Sequence, residues 1–234
     1  MKKLGSIFLA LALALGCMSM TVGAEGPNLP RTDLIFDGTK VATVTYLPPD
    51  YSVSAEVTSE IQAAFSYDAG TLMLNKPLSV MGIALEPAVT TLVLNADLTL
   101  TGNADAEADA FFTSSTLTLK GSGSLTIDAL GLHDGMAISG GLTVDGPTLN
   151  ILSGRSSGIS VSGVFTLNSG RVITQGGESG LFVFAPTTPD VVTRAATPAA
   201  GFVMNGGYLK STCGDGIDKQ PAISVEGVIE LNGV

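Results

Sequence analysis

The 234-residue chain has no tryptophan, one histidine and four tyrosines, and its 11 Lys and Arg residues are outnumbered by 21 Asp and Glu. The shortage of cationic side chains excludes a phosphate backbone or an anionic membrane surface as the main partner, because both are recognised through dense positive charge. The scarcity of aromatic rings leaves no evident platform for stacking a planar ligand. No apolar run approaches the roughly 20 residues that a membrane-spanning helix needs; the longest, from Ile7 to Gly16, is half that. Charge is sparse too, at 14% of residues against 45% hydrophobic, a balance that excludes intrinsic disorder. What remains is a folded, acidic protein without a transmembrane segment.

The N-terminus sets the expected compartment. Lys2 and Lys3 precede the apolar run, and Val22-Gly23-Ala24 places small residues where a signal peptidase reads, so residues 1–24 are expected to be removed as a signal peptide. A lipoprotein-type alternative acylates Cys17 in Leu15-Gly16-Cys17. The first route leads to a secreted protein and the second to one held at the cell surface. Loss of Lys2 and Lys3 takes the formal net charge from −10 to −12. Cys17 leaves with the leader, so Cys213 has no partner for an internal disulfide and stability has to come from packing and backbone hydrogen bonds.

Internal repetition is the strongest signal. Thr71-Leu72-Met73-Leu74-Asn75 returns as Thr91-Leu92-Val93-Leu94-Asn95, Thr116-Leu117-Thr118-Leu119-Lys120, Leu142-Thr143-Val144-Asp145, Phe165-Thr166-Leu167-Asn168, Phe202-Val203-Met204-Asn205 and Ile229-Glu230-Leu231-Asn232. The string ends are 20, 25, 25, 23, 37 and 27 residues apart, and the long gap holds a Pro- and Thr-rich insertion at residues 185–200. A second alternating segment follows each string, as in Ser124-Leu125-Thr126-Ile127. A third follows that, as in Gly158-Ile159-Ser160-Val161, where Ile159 and Val161 are expected to point inward. Three short strands per period of about 25 residues describe a coil of a parallel β-helix. Such coils stack about 4.8 Å apart, and each supplies the apolar partner its neighbours lack. The expected class is all-β. Residues 25–70 break the period and are expected to cap the first coil, residues 71–234 to form the solenoid, and an uncovered C-terminal coil to associate end to end with other copies.

Several side chains invite a chemical reading. The Asn residues that end the strings suit corners, and their amides are expected to bond to one another up the stack, with Lys120 and Asp145 as breaks. Asp105, Glu107 and Asp109 alternate along one segment; if it is extended, all three face one side as hard oxygen ligands for calcium. Asp215 and Asp218, flanking Gly216-Ile217, form a second acidic pair. His133 adjoins Asp134, but no nucleophile stands with them, and Arg155, Arg171 and Arg194 occupy different places in their periods. No catalytic residue is therefore expected.

The blocks from Gly163 to Thr174 and from Gly201 to Ser211, followed by Gly214-Asp215-Gly216-Ile217, resemble the coils of secreted bacterial carbohydrate-binding β-helix proteins over about residues 71–234. The resemblance implies a right-handed helix, possible calcium binding and a polysaccharide partner from a plant cell wall. The expected function is an exported, non-enzymatic polysaccharide-binding protein. The alternatives are an adhesive surface solenoid that contacts a cell-surface component and, more distantly, a polysaccharide lyase or hydrolase.

Overall fold

A computed structural model describes residues 30–46, 55–102, 109–129, 133–153, 155–184, 200–214 and 221–233. The leader at 1–24, Asp105, Glu107, Asp215, Asp218 and residues 185–199 of the insertion lie outside these.

The chain is all-β apart from one helix. It begins with β1 (Arg31–Phe36), β2 (Thr39–Thr45), α1 (Ala55–Ala64) and β3 (Phe65–Asp68). The strands β4 (Thr71–Leu74), β5 (Leu78–Val80), β6 (Gly82–Leu85), β7 (Thr91–Leu94), β8 (Leu98–Leu100) and β9 (Phe111–Thr113) follow. Next come β10 (Leu117–Gly121), β11 (Ser124–Ala129), β12 (Met136–Ile138), β13 (Leu142–Ser153), β14 (Ile159–Val161), β15 (Phe165–Gly176) and β16 (Leu181–Phe184). The last are β17 (Ala200–Met204), β18 (Tyr208–Cys213), β19 (Ile223–Glu226) and β20 (Val228–Leu231).

Two mixed sheets result. The first runs β1-β2-β6-β9-β12-β14-β16-β19, the second β20-β17-β15-β13-β10-β7-β4-β3, with β5, β8, β11 and β18 on a side branch of the second. Pairing is antiparallel at the N-terminal edges, for β1 with β2, β2 with β6 and β3 with β4, and parallel throughout the rest. The recurring strings lie side by side: Leu72 pairs with Leu92, Leu92 with Leu119, Leu119 with Val144, Val144 with Leu167 and Leu167 with Met204. Alternation decides which side chains go in. Leu72, Leu92, Leu119, Val144 and Leu167 are fully buried in one row, while their neighbours Met73, Val93, Thr118, Thr143 and Thr166 face outward and are half-buried. At about 1.5–3 kcal/mol per fully buried aliphatic side chain, such rows are the main force holding the strands together.

The first and second segments of a period, expected as separate strands, run together in β13 and β15 as twelve-residue strands. Their bends fall at Gly146 and Gly170, with φ of 116° and 93°, in line with Gly121 at 104° and Gly207 at 82°. A Cβ on Gly121 would lie 2.3 Å from the Leu94 carbonyl oxygen, so glycine is needed there for conformation and for space alike.

The aperiodic start packs differently. Ile61 and Ala64 of α1 and Phe65 of β3 join the same apolar cluster as Leu34, Val44 and Leu72. At the far edges the inward rows reach solvent, with Ile229 54% and Leu231 61% exposed.

Candidate functional site

Parallel pairing arranges the outward side chains in columns across the strands, and their chemistry differs from face to face. On the first sheet the column reads Ala84, Phe112, Ala137, Ser160, Phe182 and Ser224. Phe182 and Phe184 pack edge to face there, with centroids 3.8 Å apart. On the main part of the second sheet, threonines align from Thr71 through Thr91, Thr118 and Thr143 to Thr166. A concavity of about 470 Å³ lies beside this column, lined by Thr116, Thr143 and Thr166 with Gly140, Gly141 and Gly163.

The side branch of the second sheet carries the most varied chemistry. One column runs Ser124, Thr148, Arg171, Tyr208; the next runs Thr99, Thr126, Asn150, Ile173, Lys210; the third runs Asp128, Leu152, Gln175, Thr212. The second and third columns line a shallow groove of about 310 Å³. At its border the Arg171 guanidinium lies 4.3 Å from the Tyr208 ring centroid, and the phenol is 45% exposed. One half-exposed aromatic ring therefore borders the groove, with Arg171 over one of its faces. The signal was present in the repeats, since Arg171 follows Gly170 as Tyr208 follows Gly207, but the insertion separates the two by 37 positions.

The asparagine ladder forms in two runs. Asn95 donates from Nδ2 to Asn75 Oδ1 at 3.1 Å; Asn205 donates to Asn168 at 2.8 Å, and Asn232 to Asn205 at 2.9 Å. Lys120 and Asp145 interrupt it, and Asp145 accepts from Ser169 Oγ instead. These amides are committed to one another along the stack. Their role is structural.

Of the three proposed calcium ligands, only Asp109 is among the described residues, and it meets Asp134 one period away. The Asp134 backbone N–H donates to Asp109 Oδ1 at 3.1 Å. Burial, reinforced by the Asp134 charge and opposed by His133 and backbone N–H donors, pushes the Asp109 carboxyl up to about 6. Two oxygen-rich side chains thus adjoin, a donor type that suits a hard cation. Among the described residues no group of three or more His, Cys, Asp or Glu is placed to hold a metal ion. Asp134 Oδ1 accepts from Ser156 Oγ at 2.6 Å and from the Ser157 N–H at 2.8 Å, while the His133 carbonyl accepts from Ser153 Oγ. The bonds made here tie one period to the next. Arg171 stands in the column with Tyr208, and Arg155 lies exposed before β14.

A family described as carbohydrate-binding domain-containing protein has a model that matches residues 86–232, more than half of the chain. The chain belongs to this family. No curated protein and no solved structure matches it. The matched span runs from the residue after β6 to the residue after β20 and includes the groove, Arg171 and Tyr208. No helix among the described residues is long and apolar enough to cross a membrane.

Proposed function

We propose that this protein is an exported, non-enzymatic polysaccharide-binding protein, built as a right-handed parallel β-helix on residues 71–234 and closed at its N-terminal end by residues 25–70. Membership of the carbohydrate-binding family over residues 86–232 carries the reading. The face formed by β11, β18 and the second halves of β13 and β15 is the binding surface. It offers what a sugar requires: hydroxyl, amide and charged groups to exchange hydrogen bonds, aliphatic side chains beneath apolar C–H groups, and one exposed aromatic ring. In this reading export follows from the leader at residues 1–24, and the insertion, which ends before β17 begins at Ala200, projects as a loop. Calcium assists through Asp105, Glu107 and Asp109, where it would supply positive charge between acidic protein and acidic glycan. The apolar edge at β19 and β20 is where copies would meet.

Retention on a panel of insoluble polysaccharides, with and without chelator, tests the proposal. Retention of the chain without release of reducing ends is the expected result. Released reducing ends would return the lyase or hydrolase reading, and retention on no glycan would favour an adhesive solenoid. Chelator is expected to abolish retention on a uronate polymer and to leave a neutral glucan unaffected.

A further inference from the structure

The groove on the side branch has a shape that bears on what it holds. Its lining comes from three strands in two in-register columns: Thr126, Asn150 and Ile173 in one, Asp128, Leu152 and Gln175 in the other. Neighbouring strands lie about 4.8 Å apart, so the groove crosses the strands and offers a new set of contacts at each step. Each step offers at least one hydrogen-bonding group, and the second and third set it beside an aliphatic one. At the first step Thr126 and Asp128 are polar; at the second Asn150 lies beside Leu152; at the third Gln175 lies beside Ile173.

The groove is also shallow. Enclosed small-molecule pockets cover most of a ligand's surface, and a single sugar ring laid here would keep one whole face in water. Such a ring gains few contacts against the entropy lost on binding. Binding energy has to accumulate along a chain, where the cost of association falls once and each further ring adds contacts at the next strand. The columns continue past the groove, to Thr99 on one side and to Lys210 and Thr212 on the other.

We infer that this groove takes a linear polysaccharide segment laid across β11, β13 and β15 along the stacking direction, with one sugar ring per strand over at least three strands. The inference rests on the polysaccharide-binding reading above and adds the location, direction and length of the bound segment. A chain in this orientation reaches the Arg171–Tyr208 pair through rings at the β15 and β18 end. A free monosaccharide, or a chain end held in a pocket, is not what the groove accommodates.

Calorimetric titration of the whole chain with two linear oligosaccharide series tests this, one of β-1,4-linked glucose and one of α-1,4-linked galacturonate, each from one to six rings. In whichever series binds, affinity is expected to rise about tenfold or more between two and four rings, and to level off once the strands are spanned. Asn150→Ala and Gln175→Ala, both at solvent-facing positions, are each expected to weaken the hexamer about fivefold while the circular dichroism and melting temperature stay at the parent values. A monomer that binds as tightly as the hexamer would overturn the inference and leave carbohydrate binding standing. Hexamer binding unchanged in both variants would place the site on another face. Failure of every oligosaccharide and every insoluble polymer to bind would remove the polysaccharide reading and this inference together.

Discussion

Replacing Asp109 by Asn should make the protein more stable at neutral and alkaline pH. The side chain is largely buried next to Asp134, and its carboxyl holds its proton up to about pH 6 instead of the ordinary 3.8. That gap corresponds to about 3 kcal/mol between the folded and unfolded states. Below pH 3.8 the carboxyl is protonated in both states and costs nothing. As pH rises from 3.8 to about 6 the unfolded chain releases its proton first, so this group's contribution to stability falls through that window and is fully lost above it. Asn cannot ionise, yet its Oδ1 can still accept the Asp134 N–H that Asp109 accepts at 3.1 Å. Urea unfolding in chelator, followed by circular dichroism between about pH 3.5 and 8, should give parent and Asp109→Asn equal stability at the acid end. The variant should gain up to about 3 kcal/mol at the other end. Calcium added near pH 7.5 should recover stability in the parent alone if Asp109 is a ligand. A difference that does not change with pH, or a parent more stable than the variant at pH 8, would refute the reasoning.

Other substitutions probe the packing. Ile159 is fully buried between its pairing partners Met136 and Leu181, so Ile159→Asp places an unpaired carboxylate in the core at a cost of several kcal/mol, and a melt like the parent's would put the residue on the wrong face. Gly121→Ala should cost more than about 2 kcal/mol, because its φ of 104° disfavours any side chain and its Cβ would strike the Leu94 carbonyl. Asn205→Ala removes both bonds that link Asn168 to Asn232; these amides are exposed, so the loss should be about 1 kcal/mol in chemical unfolding, and no loss would mean that water replaces the ladder at no cost.

The periodic part of the chain was open to reading because each residue there answers to one rule. Ile159 and Val161 alternate with Ser160 between glycines, so burial of the outer two follows from the two-residue period of a strand. The asparagine ladder followed from position alone, since Asn75 and Asn95, or Asn168 and Asn205, end equivalent strings. The helix α1 and the antiparallel pairing of β1, β2 and β3 belong to the aperiodic start, where no repeat fixes a register. The candidate site was harder to see. Asp109 was grouped with its sequence neighbours Asp105 and Glu107, which lie outside the described residues; among the described residues it meets Asp134, one period on. Tyr208 meets Arg171 through parallel pairing across an insertion. In both cases the partner lies one turn of the repeat away, and local sequence spacing does not reveal it.

The central claim is that polysaccharide binds the face carrying the groove, Arg171 and Tyr208. Depletion binding to the polysaccharide that retains the parent best, compared among the parent, Tyr208→Ala and Phe182→Ala, tests it most directly, because the two rings lie on different sheets. Loss of one stacking contact is worth about 0.5–1.5 kcal/mol, so Tyr208→Ala should weaken binding about threefold to tenfold while Phe182→Ala binds like the parent. Weakened binding in Phe182→Ala with Tyr208→Ala unchanged would contradict the claim and move the ligand to the first sheet.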